Sequence, residues 1–397
     1  MNAGLRHWKE AATVILAAGT RRRAAADVRL QAGDPRSPGG GGAPWPPHSA
    51  FDYEVLLLKR SGKSGFMPNA YVFPGGLVDS SDFSSEWLDV FASPRLSPAF
   101  GLGAVRQPPQ TRPPLFAADR AELGSPIPGE VAFRICAVRE TFEESGILLA
   151  IPKEGDEGYP RGNSLAQVPE LCGRRQLAQW RQRVLADPCN FIQMCKELGC
   201  VPNIWALHEW GNWLTPTGTF APGRRYDTAF FVCCLQGVPH TAQDEKEIVH
   251  FKWSTPSEIV CQFQAREIWV APPQFYELSR ISRLPKVQDL HSFAAERAAE
   301  GCERWLPISL ACSDGNVSLL PGDDLYPENP DWSGLGSAEV TKKKSLKELQ
   351  ESSRFHRIVM HSLFDISIHA NITPKYKHLL PITQPIQGSD VKPSSHL

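Results

Sequence analysis

The chain has 397 residues, and its 42 lysines and arginines almost balance its 43 aspartates and glutamates, for a formal net charge of −1. This balance excludes the coating of nucleic acid or of an anionic membrane as the main role, because both depend on an excess of positive charge. The hydrophobic fraction of 42% allows a sizeable core, but 31 glycines and 35 prolines occur in clusters. Part of the length therefore lies outside the core, and fewer domains are needed than length alone would suggest.

Ten cysteines are spread along the chain without a single C-x-x-C pair. In the absence of a secretory context, this spacing indicates reduced and mostly buried thiols rather than a disulfide or metal framework.

An apolar run at residues 11–18 predicts a buried opening strand, because it is rich in β-branched side chains. Arg6 and Lys9 before it imitate a secretory signal peptide, but the run is short and a second basic cluster follows at 21–23. Eight residues are also far below the roughly 18 to 20 that cross a bilayer, so no membrane span is expected.

Strands and loops alternate in the next segments. Residues 33–48 are rich in Gly and Pro and predict an insert outside the core. Residues 54–59 and 70–73 predict two buried strands, the second ending at a Pro-Gly-Gly turn, and the Pro-rich residues 93–128 predict a long loop.

Residues 130–145 form the strongest predicted helix, with Pro128 before it and Gly146 as its C-terminal stop. One face of this helix is an apolar stripe that predicts packing against the core. The opposite face gathers three carboxylates, those of Glu140, Glu143 and Glu144.

Later segments predict a helix at 176–186, strands at 203–208, 228–235 and 248–253, and helices that begin near Pro256 and Pro272. A hairpin is expected at 305–320, followed after residue 330 by a polar C-terminal extension. Tryptophans and phenylalanines at Trp205, Trp210, Trp213, Phe230 and Phe231 are interpreted as core. The mixture of strands with one strong internal helix favours an α/β or α+β sandwich with long loop insertions.

The three-glutamate face has an ordinary interpretation as a solvated acidic stripe. Like charges three and four residues apart nevertheless destabilise a helix unless a cation lies between them. A hard divalent ion bound through oxygen ligands is such a cation, and Arg139 can pair with Glu143 one turn further on.

At this point the run R-E-T-F-E-E-S-G-I at 139–147 resembles the second half of the box of nudix hydrolases, R-E-U-x-E-E-x-G-U. Thr141 departs mildly from the pattern, because it occupies the first aliphatic position. The first half, G-x5-E, is similar at Gly76, with Asp82 in the acidic position. The box allows seven residues between that acid and Arg139, whereas 56 stand here, so 49 are additional.

The insertion within the box, at residues 83–129, falls in the predicted Pro-rich loop, where added length costs little free energy. The resemblance implies a nudix-type α/β/α sandwich over residues 8–330, with residues 331–397 as the C-terminal extension.

Residues 56–76 resemble the motif that precedes the box in coenzyme A diphosphatases, with two departures. Gly65 stands where that motif has a basic residue, and Asn69 stands where it has glycine. Substrate contacts are expected from Lys59, Arg60, Lys63, Gly75 and Gly76.

The resemblance implies hydrolysis of the diphosphate of coenzyme A and its acyl esters, to 3′,5′-ADP and 4′-phosphopantetheine or its acyl form. It implies Mg²⁺ or Mn²⁺ on Glu140, Glu143 and Glu144, with Arg139 and Gly146 in structural roles. Asp82 and a carbonyl near Gly75 or Gly76 are expected to complete the metal shell. The general base is either Glu247 or a glutamate of the box.

Alternatives are an enzyme acting on NADH, a nucleotide sugar or a capped RNA, and a non-catalytic module that binds coenzyme A. The last three residues, Ser395, His396 and Leu397, resemble a peroxisomal targeting tripeptide, which implies an import receptor as a partner and a peroxisomal location.

Overall fold

The computed structural model describes residues 8–20, 45–91, 100–116, 124–153, 164–216, 224–243, 247–333, 344–350 and 353–383. Within them the strands are β1 (Lys9–Gly19), β2 (Tyr53–Arg60), β3 (Tyr71–Val72), β4 (Gly75–Leu77), β5 (Ala150–Pro152), β6 (Cys200–Pro202), β7 (His208–Leu214), β8 (Tyr226–Leu235), β9 (Ile248–Ser254), β10 (Arg304–Trp305), β11 (Ile308–Cys312), β12 (Gly315–Leu319), β13 (His356–Ser362) and β14 (Asp365–Ala370). The α-helices are α1 (Trp87–Val90), α2 (Gly129–Ser145), α3 (Arg174–Ala186), α4 (Asn190–Glu197), α5 (Pro256–Gln264), α6 (Pro272–Ile281) and α7 (Val287–Ala298).

The largest sheet contains eight strands and is mixed. Its order is β10-β7-β8-β1-β2-β3, with β4 paired to β1 and β9 paired to β2. Strands β1 and β8 run parallel, whereas β1 with β2 and β7 with β8 run antiparallel. The opening apolar run therefore lies at the centre of the sheet, which explains why all of its residues are buried.

Alternate residues of β1 pack into two different cores, because successive side chains of a strand point to opposite faces. Val14 and Leu16 join the core that contains α2, whereas Ile15 and Ala17 join the core that contains α5, α6 and α7. Helices on both faces of a mixed sheet make an α/β/α sandwich, which confirms the predicted fold class.

A second sheet has the order β11-β12-β13-β14, and it packs a small apolar cluster of its own. The predicted hairpin forms its first two strands. Strands β13 and β14 were not predicted. β13 pairs with β12 and β14 pairs with β13, so the sheet continues past residue 330, the predicted start of the C-terminal extension.

Some local predictions differ from the structure. Residues 204–206 form a 3₁₀ turn, and the strand predicted at 203–208 begins only at His208. Helices α4 and α7 were missed. The ten cysteines are free, and six of them are buried. No helix in the described part of the chain has the length and apolar character to cross a membrane.

Candidate active site

Helix α2 carries the acidic face, and it packs on the sheet along nearly its whole length. Thr141, in the position where the box has an aliphatic residue, is fully buried, and its hydroxyl donates to the carbonyl of Ala137 at 2.7 Å. The helix ends where Gly146 adopts φ 72°, a left-handed conformation that favours glycine, and the Gly146 N–H donates to the carbonyl of Phe142. The C-terminal turn, which holds the glutamates, is therefore rigidly placed.

Arg139 is the centre of a buried network, with only 2% of its side chain exposed. Its Nε and Nη2 donate to the two oxygens of Asp82 at 2.9 Å each, across the 49-residue insertion. Its Nη1 donates to Glu140 Oε1 at 2.9 Å and to Glu143 Oε1 at 2.8 Å. One cation thus faces three carboxylates, and the predicted pair with Glu143 is present.

Asp82 does not have the position expected of a metal ligand. Both of its oxygens accept from Arg139, and Oδ2 also accepts from the backbone N–H of Asp79 in the capping box of a short 3₁₀ turn. Asp82 therefore holds Arg139 in place rather than facing the site.

The Gly75-Gly76 turn lies directly against the glutamates, because β4 pairs with β1 beneath α2. The Gly75 N–H donates to Glu144 Oε2 at 2.8 Å. A Cβ added to Gly76 would lie 2.4 Å from Glu140 Oε2, so only glycine allows this approach. Gly75 has φ 152°, and a Cβ there would lie 2.3 Å from the carbonyl oxygen of Ala12. The backbone requires glycine at Gly75, whereas a side chain at Gly76 would displace the carboxylate of Glu140.

Burial and mutual repulsion weaken the acidity of all three glutamates. The pKa of Glu140 rises to about 8, chiefly through burial, with Glu143 and Asp82 adding to the rise and Arg139 opposing it. Burial also raises the pKa of Glu143. The pKa of Glu144 is raised well above its ordinary value by burial and then by Glu140, against the Gly75 N–H and Arg60. One arginine is therefore too little positive charge to keep all of these buried carboxyls ionised at neutral pH.

This donor set fits a hard divalent cation. One carboxylate oxygen of each glutamate accepts a hydrogen bond from a described residue. The other oxygen accepts none from the described residues. Oxygen donors of this kind are the ligands that Mg²⁺ and Mn²⁺ prefer, and a cation would offset the repulsion that raises the pKa values. No three acidic, His or Cys side chains among the described residues already converge on one point, so Glu140 and Glu143 would have to turn from Arg139 to share a cation.

A basic pocket of about 570 Å³ adjoins the acidic helix. Residues that define it are Lys9, Arg60, Ser61, Lys63, Ser64, Gly65, Phe66, Arg224, Tyr226 and Glu247. Glu247 Oε1 accepts from Arg60 Nη2 at 2.9 Å, and both residues influence the pKa of Glu144. The structure therefore brings the predicted Arg60, Lys63 and Glu247 into one pocket, and Arg60 and Glu247 lie close enough to Glu144 to influence its pKa.

Lys59 lies elsewhere. It alternates with Arg60 along β2, so it belongs to the other face of the sheet, where its ammonium lies 6.0 Å from the ring centre of Tyr71. Tyr71 packs in the core on the side of α5 to α7. The predicted substrate contact by Lys59 does not match this placement.

Arg181 of α3 ties the box helix to the loop before Glu247, and sequence reasoning missed it. Its Nε donates to the carbonyl of Glu143 at 2.9 Å, and its Nη1 donates to the carbonyl of Gln243 at 3.3 Å. The N–H of Ala242 donates to the carbonyl of Ser145 at 2.9 Å. Lys9 and Arg224 of the basic pocket were also missed, since neither belongs to a local motif. Ser395, His396 and Leu397 lie outside the described residues.

A buried box helix over a Gly-Gly turn, within an α/β/α sandwich, defines a Nudix hydrolase. Residues 8–281 match the model of the NUDT19 Nudix domain, and residues 309–371 match that of the NUDT19 C-terminal domain. The chain therefore belongs to the NUDT19 family of Nudix hydrolases, which confirms the resemblance seen in the sequence.

Proteins named acyl-coenzyme A diphosphatase NUDT19 are similar to this chain over nearly its whole length. The one from Gallus gallus is 51% identical over 391 residues, which are 96% of this chain and 97% of that protein. Those from Xenopus laevis and Homo sapiens are 49% and 42% identical, over 96% and 98% of this chain and 98% of each protein.

Proposed function

We propose that the protein hydrolyses the diphosphate of coenzyme A and of acyl-coenzyme A, releasing 3′,5′-ADP and 4′-phosphopantetheine or its acyl form. The observation that carries the proposal is the proximity of two regions of opposite charge. The box helix carries the carboxylates, the nearby pocket carries the cations, and Arg60 and Glu247 of that pocket lie close enough to influence the pKa of Glu144. The names of the three similar proteins support the same substrate.

Glu140, Glu143 and Glu144 would hold Mg²⁺ or Mn²⁺. Such an ion neutralises the diphosphate and activates water when it is bound. Arg139 keeps the helix turn in register through Asp82 and limits the ionic repulsion among the glutamates. The Gly75 N–H orients Glu144, and the absence of a side chain at Gly76 leaves room for Glu140 beside the turn.

Glu247 is the preferred general base, since it lies beside Glu144 and is held by Arg60 at 2.9 Å. With more than half of its side chain exposed, it is open to the pocket and can take a proton from an attacking water at its carboxylate. A glutamate of the box remains the alternative base.

The test incubates the full chain with coenzyme A and Mg²⁺ or Mn²⁺ and measures 3′,5′-ADP by chromatography. Glu144→Gln should abolish product, whereas Lys59→Gln should retain it, because Lys59 lies on the other face of the sheet. No product from the wild type, or equal product from Glu144→Gln, contradicts the proposal. The Glu247→Gln variant distinguishes between the two candidate bases. If Glu247 accepts the proton, this variant should lower kcat strongly and change KM little.

NADH, a nucleotide sugar and a capped RNA are compared in the same assay. If the protein prefers any of them over coenzyme A, the proposed substrate is wrong and the proposed reaction, hydrolysis of a phosphoric anhydride, still holds. Binding of coenzyme A without turnover would indicate a non-catalytic module.

We also propose that Ser395, His396 and Leu397 direct the protein to the peroxisome through an import receptor. Deletion of Leu397 should leave a fluorescently tagged protein in the cytosol. Continued peroxisomal import of that variant would contradict the proposal.

A further inference from the structure

The basic pocket contains more positive charge than the diphosphate site beside it needs. Its cations are Lys9, Arg60, Lys63 and Arg224, and its carboxylate is that of Glu247. Glu247 pairs with Arg60. No described carboxylate forms an ion pair with Lys9, Lys63 or Arg224, so three cations converge on one opening without compensation among the described residues.

Arg224 occupies a place that the sequence left without charge. Gly65 stands where the related motif has a basic residue, and a Cβ added to Gly65 would lie 3.7 Å from Arg224 Nη2. Arg224 Nη1 donates to the carbonyl of Gly65. A guanidinium from the residues before β8 therefore supplies the charge that the loop lacks.

The loop that carries Lys63 has a defined shape. Arg60 donates to Ser64 Oγ at 2.8 Å and to the carbonyl of Phe66 at 3.1 Å, which closes the loop over the end of β2. Asn69, the second departure from the motif, has φ 62°. Asparagine adopts this left-handed conformation more readily than most residues, so the turn forms without the glycine.

An aromatic pair lines the same pocket. The rings of Phe66 and Tyr226 lie 4.7 Å apart, edge to face. Aromatic rings beside cations are the surroundings that a nucleotide uses, with its base against the rings and its phosphates on the cations.

We propose that this pocket binds the phosphate that the substrate carries on its ribose, in addition to the diphosphate that is cleaved. Arg224 is the principal contact, and Lys63 and Lys9 assist it. The pocket thereby selects nucleotides with a ribose phosphate over those without one. This inference rests on the proposed diphosphatase activity and adds specificity-determining residues to it.

The experiment compares coenzyme A with dephospho-coenzyme A, which lacks the ribose phosphate. Wild-type kcat/KM should favour coenzyme A by roughly tenfold or more, since charge-assisted contacts to phosphate are among the stronger hydrogen bonds. Arg224→Gln should lower kcat/KM for coenzyme A roughly tenfold and change that for dephospho-coenzyme A less than about twofold. Lys63→Gln and Lys9→Gln should each lower kcat/KM for coenzyme A by roughly threefold.

Two further variants separate charge from structure. Arg224→Lys keeps the charge and should retain part of the discrimination that Arg224→Gln loses. Arg106→Gln removes an exposed cation outside the pocket, and it should leave kcat/KM unchanged for both substrates. If Arg224→Gln lowers kcat/KM equally for both substrates, the arginine serves the diphosphate or the loop, and the inference is overturned. Equal wild-type rates on the two substrates overturn it as well.

A binding measurement keeps this inference separate from the proposed function. Calorimetric titration of the full chain with 3′,5′-ADP and with 5′-AMP needs no turnover. Tighter binding of 3′,5′-ADP, lost in Arg224→Gln, supports the pocket even if no diphosphate is hydrolysed. Turnover of coenzyme A with equal affinity for the two nucleotides contradicts the pocket and leaves the proposed activity intact.

Discussion

Each face of the central sheet packs against a buried arginine that pairs with glutamate, but the balance of charge differs. On the α2 face, Arg139 serves three carboxylates, and Glu144 lies nearby with its pKa raised. On the opposite face, the fully buried Glu277 accepts from the indole N–H groups of Trp210 and Trp213 at 2.7 and 2.9 Å and also pairs with Arg280.

The Glu277 carboxylate is satisfied within the protein, because both of its oxygens accept from strong donors. The Arg139 network is not complete, because its carboxylates outnumber its cation. Buried charge that the protein itself balances is structural, whereas buried charge that it leaves in excess is ready for a ligand. This difference distinguishes the face of the proposed active site from the opposite, structural face.

The largest expected effect comes from replacing one glutamate in each network. Glu140→Gln should lower coenzyme A hydrolysis roughly 10³-fold, about 4 kcal/mol, with the free energy of unfolding unchanged or slightly raised, since it removes a repelled charge. Glu277→Gln should instead lower the free energy of unfolding by about 3 kcal/mol, because Arg280 loses its buried counter-charge. Urea unfolding and initial rates measure both, and loss of stability in Glu140→Gln would contradict the contrast.

Divalent cations should stabilise the folded protein through the α2 face alone. At a 100-fold excess over its dissociation constant, Mg²⁺ or Mn²⁺ should add about 2.7 kcal/mol to the free energy of unfolding. The effect should be absent in Glu140→Gln and present in Lys59→Gln. Equal stabilisation by NaCl at the same ionic strength would indicate screening rather than a site.

Acid should act on the opposite face, where β7 and β13 hold buried neutral histidines. Burial and then His291 lower the pKa of His208 to about 3, and burial lowers that of His356 to about 4 despite a bond to the Pro321 carbonyl. In the unfolded chain these histidines bind protons at an ordinary pKa near 6.5. Their contribution to the free energy of unfolding is therefore complete above pH 6.5 and is lost as the pH falls.

The expected loss at pH 5 is about 2 kcal/mol for each histidine, since one pKa unit corresponds to about 1.4 kcal/mol. Urea unfolding between pH 7 and pH 5 measures it, and His208→Gln should flatten the dependence. An unchanged slope in that variant would show that other groups cause the acid sensitivity.

The smallest expected effect tests how the catalytic face is positioned. Arg181→Met should lower kcat roughly tenfold, about 1.4 kcal/mol, while KM changes little, because the loop before Glu247 loses its tie to α2. Arg181→Lys should restore part of the rate. A change in KM alone would place Arg181 in substrate binding instead.

Local signals were sufficient to predict the box helix α2. Its apolar stripe, its glycine stop and the spacing of its glutamates are properties of a few consecutive residues, so its bounds and its acidic face could be predicted. Strand β1 was predictable for the same reason. Helix α7 and strands β13 and β14 were missed because their apolar residues are interrupted by polar and charged ones, and burial against the rest of the fold decides their structure.

The sequence by itself determined that this is a Nudix hydrolase, since R-E-x-x-E-E-x-G encodes a helix, a charge pattern and a stop within eight residues. Only the tertiary structure decided how each charge is used. It pairs Asp82 with Arg139 across an insertion, turns Lys59 to the opposite face of the sheet, and brings Arg224 beside Gly65. The two pairings join residues far apart in the chain, and the orientation of Lys59 follows from its position in a strand. Such features depend on strand register and on the alternation of side chains across the sheet.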